Sequence, residues 1–461
     1  MKVRRWLIIL MAVFLCIYSG ISLYSGPGLY FIKSAKEKTE VSETAAKDEP
    51  AETAAYADGD ELPEAYDGRL AGRVSEVQNQ GSLGTCWAFA SLMALESSLM
   101  PEEQWNFSED HMSLNNGFSI SQESGGEFTM SMAYLLSWKG PVTEEEDPYG
   151  DGISPDGLKA VKHVQEIQFV PAKDYKKIKL AVLQYGGVQS SLYTSMTEEY
   201  RESDYYNKSR YAYCYVGSEA PNHDSVIIGW DDNYPKENFN TPVNGDGAFI
   251  CTNSWGDGFG ELGYYYVSYY DSNIGMNNMI YTSVEPPDNY DHIYQSDMRG
   301  WVGQIGYGME TAWFSSVYKA GSSQELQSVG FYAAGRHTSY EVYVVRHADE
   351  ETVIINEGGL EDRIPAAKGT MDYSGYYTVN LQGENGEGFY LDPGERFAVM
   401  VKITTPDAIH PVAIEYDAKD VRTTVDITDG EGYISPDGIA WERVEKKQNC
   451  NLCLKAYTVD R

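Results

Sequence analysis

The stretch from Gln78 to Ala90, Q-N-Q-G-S-L-G-T-C-W-A-F-A, constrains the chain more than any other. One cysteine, Cys86, follows a glycine-marked turn and opens an apolar run. Leu92, Leu95 and Leu99 continue that run at helical spacing until Pro101. The pattern predicts a helix with Cys86 at its N-terminus. Free backbone N–H groups and the positive end of the helix dipole meet there and favour a thiolate, the form a nucleophilic cysteine needs. Gly81 and Gly84 allow a substrate backbone to come close, and Gln80 can bring an amide N–H2 to the same place. Read alone, the block also fits a cysteine buried in a core. Its partners downstream decide between the two.

The 461 residues suggest two domains, and a hydrophobic content of 42% suffices for packed cores. The net charge of −34, from 69 acidic and 35 basic residues, argues against nucleic acid as a partner, because phosphate binding needs basic patches. Six scattered cysteines do not make a disulfide framework. Cys450 and Cys453 form a C-x-x-C with no second pair nearby to complete a zinc site, so strand alternation explains them better. No cofactor is expected. The acidic turn Asp426-Ile427-Thr428-Asp429 could hold a structural Ca2+ through oxygen ligands, but it matches no calcium motif, and a solvated turn is the plainer reading.

Taken in order, the chain opens with Lys2, Arg4 and Arg5 before an apolar run from Trp6 to Tyr18. Residues 1–24 read as a signal peptide or an N-terminal membrane anchor, the one route by which a membrane enters. Residues 25–60, rich in Ala, Glu, Thr, Lys and Asp, read as a disordered acidic linker. A first domain is expected over 61–284. Its early part is helical: the Cys86 helix, a second over about Thr129 to Trp138 and a third over about Tyr175 to Gln184. Its later part reads as strands, Val188 to Tyr193, Ser225 to Trp230, Gly247 to Thr252 and Tyr264 to Tyr269. Helices first and strands second predict an α+β domain of two lobes. After the proline-marked Ser283 to Tyr290, residues 285–461 carry short half-alternating strands, Tyr376 to Leu381 among them. They predict an all-β sandwich of two antiparallel sheets.

His223 lies in P-N-H-D-S-V-I-I-G-W, before an apolar strand, and Asn253 in C-T-N-S-W-G, at the end of another. A cysteine near the start of a domain, with a histidine and an asparagine far downstream, is the arrangement of a papain-like site. The first domain resembles the papain family (C1) of cysteine proteases. The likeness is spread over LPEAYDGR (62–69), the Cys86 block, FSEDHMSLNN (107–116), SGGEF (124–128), GPVTEEEDPYG (140–150), NHDSVIIGW and NSWGDGFGELGYYYV. It implies a two-lobed papain-like fold and an endopeptidase. Cys86 is then the nucleophile and His223 the imidazolium that stabilises it and protonates the leaving amine. Asn253 orients that imidazole, and Gln80 with the Cys86 N–H forms the oxyanion hole. Trp255 covers the His223–Asn253 contact. Gly125 and Gly126 pair with the substrate backbone, while Glu127, Phe128 and Asp224 line the pocket for the second side chain before the cut.

The sequence also departs from the family. Leu83 stands where a cysteine is usual, so a disulfide of the helical lobe is absent. No helical propeptide of the usual pattern fits between the export segment and Leu62. The second domain resembles the lectin-like domain that follows papain-like domains in certain bacterial surface proteases. That resemblance implies a secreted or cell-surface enzyme acting on protein or peptide substrates. It also implies cell-wall glycan or a surface protein as partner of the second domain. The rival reading is a non-catalytic envelope- or glycan-binding protein with a vestigial protease domain. Intact Gln80, Cys86, His223 and Asn253 favour the enzyme.

Overall fold

The computed structural model describes residues 60–196, 202–348, 363–418 and 423–461. The expected export segment, and the linker apart from Asp60, lie outside the described residues. The described chain divides into two compact units. The first runs to Tyr290 and includes Tyr373–Thr378; the second takes Asp291–Asp372 and Val379–Arg461.

The first unit begins with a short strand, β1 (Ala65–Asp67), followed by α1 (Cys86–Leu99), α2 (Glu109–Asn115) and α3 (Phe128–Leu136). Every residue of α1 from Trp87 to Ser97 is buried, the polar Ser91, Glu96 and Ser97 included. Helix α2 is too short to show a period, so the sequence reading passes over it. Its start is nonetheless well made: Ser108 Oγ accepts from the His111 N–H at 3.0 Å, and Glu109 and Asp110 occupy the first turn. Strand β2 (His163–Val170) comes next, ahead of α4 (Tyr175–Tyr185) and interrupting the expected order of helices before strands. Asp174 caps α4 and Gly186, at φ +90°, ends it.

Strands β3 (Val188–Leu192), β4 (His223–Asp231), β5 (Ala248–Thr252), β6 (Tyr264–Ser268) and β7 (Asn278–Glu285) complete this unit's main antiparallel sheet. The order is β2-β7-β3-β4-β5-β6, with β1 added on β4. Helix α1 lies against β4 and β7, and Ile178 and Val182 of α4 join Trp230, Phe249 and Tyr265 in one core. The outer edge of β2 is covered by the strand Ser374–Asn380, with Ser374 opposite Phe169 and Tyr377 opposite Glu166. The sequence assigns that strand to the second domain; its residues 374–378 pack with the first unit. An open edge on β2 would expose unpaired backbone groups, and this strand satisfies them.

In the second unit the described strands are antiparallel. Six form one sheet in the order Ile364–Met371, Thr338–Arg346, Arg396–Thr404, Thr311–Lys319, Gly432–Ser435, Glu442–Arg443. Phe397 to Val401 are all buried, which is why the central strand reads as a continuous apolar run instead of alternating. A three-stranded sheet pairs Val412–Tyr416 with Gly303–Ile305 and Cys450–Leu452. Gln324–Ala333 pairs with Leu454–Asp460 and Phe389–Leu391, and His292–Tyr294 extends this set. Lys455 and Asp297, both buried, form an ion pair at 2.7 Å.

Candidate active site

Sheet register assembles one side of the site. In β3 and β4, Leu192 stands opposite His223, and in β4 and β5, Val226 stands opposite Thr252. Antiparallel pairing therefore carries His223, at the start of β4, and Asn253, just past the end of β5, to the same end of the sheet. His223 Nε2 lies 2.7 Å from Asn253 Oδ1. An amide oxygen only accepts, so Nε2 carries the proton and donates, which leaves Nδ1 for the other side of the ring. Asn253 Oδ1 also accepts from the Ser254 N–H at 2.8 Å. The Trp255 ring is buried 4.8 Å from the His223 ring and stands edge-on to Phe259, so apolar surface covers the pair.

Helix α1 supplies the other side. Cys86 is its first residue and is half-buried. The backbone N–H groups of Asp224, Trp87 and Cys86 itself lie close enough to the sulfur to favour its thiolate. The Asp224 N–H brings its chain neighbour His223 to the same place. Burial first, and the Asp224 carboxylate second, outweigh these N–H groups and push the thiol up to about 12. The N–H groups at the helix start thus favour the thiolate without offsetting burial, and a neighbouring cation, the part the sequence reading gives to His223, would tip the balance.

Gln80 is buried, and both ends of its amide are held. Nε2 donates to Leu83 O at 2.7 Å, and Oε1 accepts from Ser254 Oγ at 2.6 Å. Ser254 thus joins Gln80 to Asn253, a link with no local sequence signal beyond its place in N-S-W. Gly125 and Gly126 run beside this corner. A Cβ on Gly126 would stand 2.4 Å from Trp87 Nε1, and one on Gly84 would stand 2.6 Å from Gly125 N, so only glycine lets the two segments lie this close. Glu127 is half-buried just before α3. Phe128 is buried, its ring edge-on to Phe169 at 5.6 Å. The Asp224 carboxylate is buried and accepts from Gln189 Nε2 at 2.9 Å; burial holds it above the usual carboxylate range. Sequence reasoning did not find Gln189, nor Thr85 and Tyr149, whose hydroxyls meet at 2.6 Å.

The five described cysteines are free thiols, Cys214 and Cys251 included. Among the described residues no group of three or more His, Cys, Asp or Glu could hold a metal ion. In the acidic turn, the exposed Asp426 carboxylate accepts from the N–H and O–H of Thr428. Among the described residues no helix is long and apolar enough to cross a membrane.

The family profile described as papain family cysteine protease matches residues 62–284. The first domain belongs to the papain family. The profile described as lectin like domain matches residues 293–458. The two domains recur together in a solved structure of the cysteine protease and lectin-like domains of Cwp84, a surface layer associated protein of Clostridium difficile. It is 25% identical, with a TM-score of 0.73, and the match covers 93% of each chain. A structure of clostridial Cwp84 after propeptide cleavage matches at 26% identity and a TM-score of 0.74, over 86% of this chain and 99% of that one. The papain-family domain is also 29% identical to cysteine proteinase 1 of Entamoeba histolytica over 219 residues. That match takes in 44% of this chain and 63% of that proteinase. The chain is thus a papain-family cysteine protease domain followed by a lectin-like domain.

Proposed function

We propose that this chain is a cysteine endopeptidase of the cell surface or extracellular space, hydrolysing peptide bonds in envelope or secreted proteins. The observation that carries the reading is the 2.7 Å bond from His223 Nε2 to Asn253 Oδ1, with Asp224, the chain neighbour of His223, close to Cys86 at the start of α1. With Nε2 committed, Nδ1 takes the Cys86 proton, and the resulting imidazolium supplies the cation that this thiol needs. The thiolate attacks the scissile carbonyl, and Gln80 Nε2 and the Cys86 N–H hold the oxyanion. His223 passes its proton to the departing amine, leaving a thioester. Water, deprotonated by His223, then hydrolyses the thioester and frees the thiol. Gly125 and Gly126 take the substrate backbone as an added strand, next to Glu127, Phe128 and Asp224. The surface-layer association of Cwp84 and the basic, apolar N-terminus support an exported protein. The lectin-like domain would hold it on cell-wall glycan or a surface protein.

Hydrolysis of a quenched fluorescent peptide library by the full chain tests the reading. Turnover by the native chain and its loss in Cys86→Ala, with an unchanged melting temperature, is the expected result. Equal turnover by Cys86→Ala would exclude Cys86 as nucleophile.

A further inference from the structure

We propose that Tyr149 is a positioning residue for this hydrolysis: its hydroxyl locks the turn that carries both Gln80 and Cys86. The inference rests on the function proposed above and adds a residue to it. Tyr149 Oη donates to the backbone oxygen of Gln80 at 2.9 Å and lies 2.6 Å from Thr85 Oγ1. A phenol has one proton to give. With that proton on Gln80 O, Thr85 must be the donor in the second bond.

Thr85 is the N-cap of α1. A threonine there ordinarily turns its oxygen onto an N–H of the first helical turn. Thr85 makes no such bond; its buried hydroxyl faces Tyr149 instead. Two things follow. The first-turn N–H groups are not capped by the Thr85 side chain, and those of Cys86 and Trp87 favour the Cys86 thiolate. Residues 80 and 85, the two ends of the turn, are also tied together through a single oxygen atom.

Two further ties hold this turn to outside segments. Gln80 N–H reaches Ser254 O and Gly84 N–H reaches Gln122 O, each at 2.8 Å. Within the turn, the Leu83 N–H reaches the same Gln80 O at the longer distance of 3.4 Å and Gln80 Nε2 bonds Leu83 O, so any drift of this backbone carries the amide with it. Tyr149 is itself anchored. Its ring stands edge-on to Phe89 at 4.8 Å, and its N–H donates to Glu144 Oε1 at 2.8 Å. Burial is the main reason its hydroxyl is pushed up to about 12, so it remains a donor at any pH where a thiol protease works. An oxyanion donor acts only if it is in place before charge develops, and a displacement of a few tenths of an ångström lowers the rate without altering substrate affinity.

The test is a kinetic cycle on one peptide substrate. Tyr149→Phe keeps the ring against Phe89 and removes only the hydroxyl. It should lower kcat by about five- to tenfold and leave KM within about twofold. Gln80→Ala alone should lower kcat by roughly 10²–10³. On that background Tyr149→Phe should cost less than about threefold, because the group it positions is gone. Thr85→Ala should reproduce the kcat loss and Thr85→Ser should restore it, which keeps the test open if Tyr149→Phe folds poorly. A kcat for Tyr149→Phe within about twofold of the native value, or an undiminished loss on the Gln80→Ala background, overturns the proposal. A native chain that cleaves no peptide fails at the proposed function, and the inference falls with it. A native chain that cleaves and is indifferent to Tyr149→Phe fails at this step alone.

Discussion

At the scale of single residues, the candidate site is built around a cysteine whose burial favours the thiol. Burial and the Asp224 carboxylate push Cys86 up to about 12, against three backbone N–H groups. If His223 supplies the missing positive charge, its removal should expose that bare thiol. Alkylation of His223→Ala by iodoacetamide should be slow at pH 7 and still be rising at pH 10, since the thiolate fraction grows until the pH passes a thiol pKa near 12. The native enzyme should reach its plateau below pH 8. A His223→Ala profile that levels off near the pKa of a free cysteine, about 8.5, would contradict this. Cys86, His223, Asn253 and Gln80 could be named as candidates from the sequence because each sits in a stretch with a local signature. Tyr149, Thr85 and Ser254 could not be assigned roles, because their bonds join segments far apart in the chain and no spacing records them.

At the scale of elements, long apolar periods were legible and short or charged segments were not. Helices α1 and α4 stand close to where the spacing puts them, whereas α2 is only seven residues long and β2 is diluted by Gln165, Glu166 and Gln168. The helical part also buries acids that a sequence reading would leave in water. Glu96 of α1 is enclosed, accepts from the Phe107 N–H at 2.9 Å, and is pushed up to about 7, chiefly by burial. Glu109 of α2 is raised as well, by burial and by Glu96, and Glu144 adds to both. An acid whose folded pKa lies above its unfolded value takes up a proton on folding. For Glu96, stability should therefore fall as pH rises from about 4.5 through 7, and Glu109 acts in the same direction. For Glu96 alone the loss is on the order of 3 kcal/mol. Glu96→Gln keeps the bond to Phe107 and cannot ionise, so it should melt several degrees higher than the native chain at pH 8 and about equally at pH 4.5. A native melting temperature that is constant between pH 5 and 8, or a lower one for Glu96→Gln at pH 8, would contradict the argument.

At the scale of the whole molecule, the change from mixed to all-β patterning near residue 285 was legible. The route of the strand Ser374–Asn380 was not. Its alternation is that of its neighbours in sequence, while its partner, β2, lies some 200 residues earlier. Pairing across such a separation leaves no trace in local pattern, and the same holds for the buried pair Lys455 and Asp297. What unites the account is the claim that one thiol in this chain, activated by one histidine, does the chemistry. The most direct measurement is labelling of the full chain by a thiol-reactive peptidyl inhibitor that mimics a substrate, read by mass spectrometry of the digested protein. The account predicts one label per chain, on Cys86 and not on the buried Cys214, Cys251, Cys450 or Cys453, and its loss in His223→Ala. An unlabelled native chain, or a label on Cys86 that survives His223→Ala at the native rate, would contradict it.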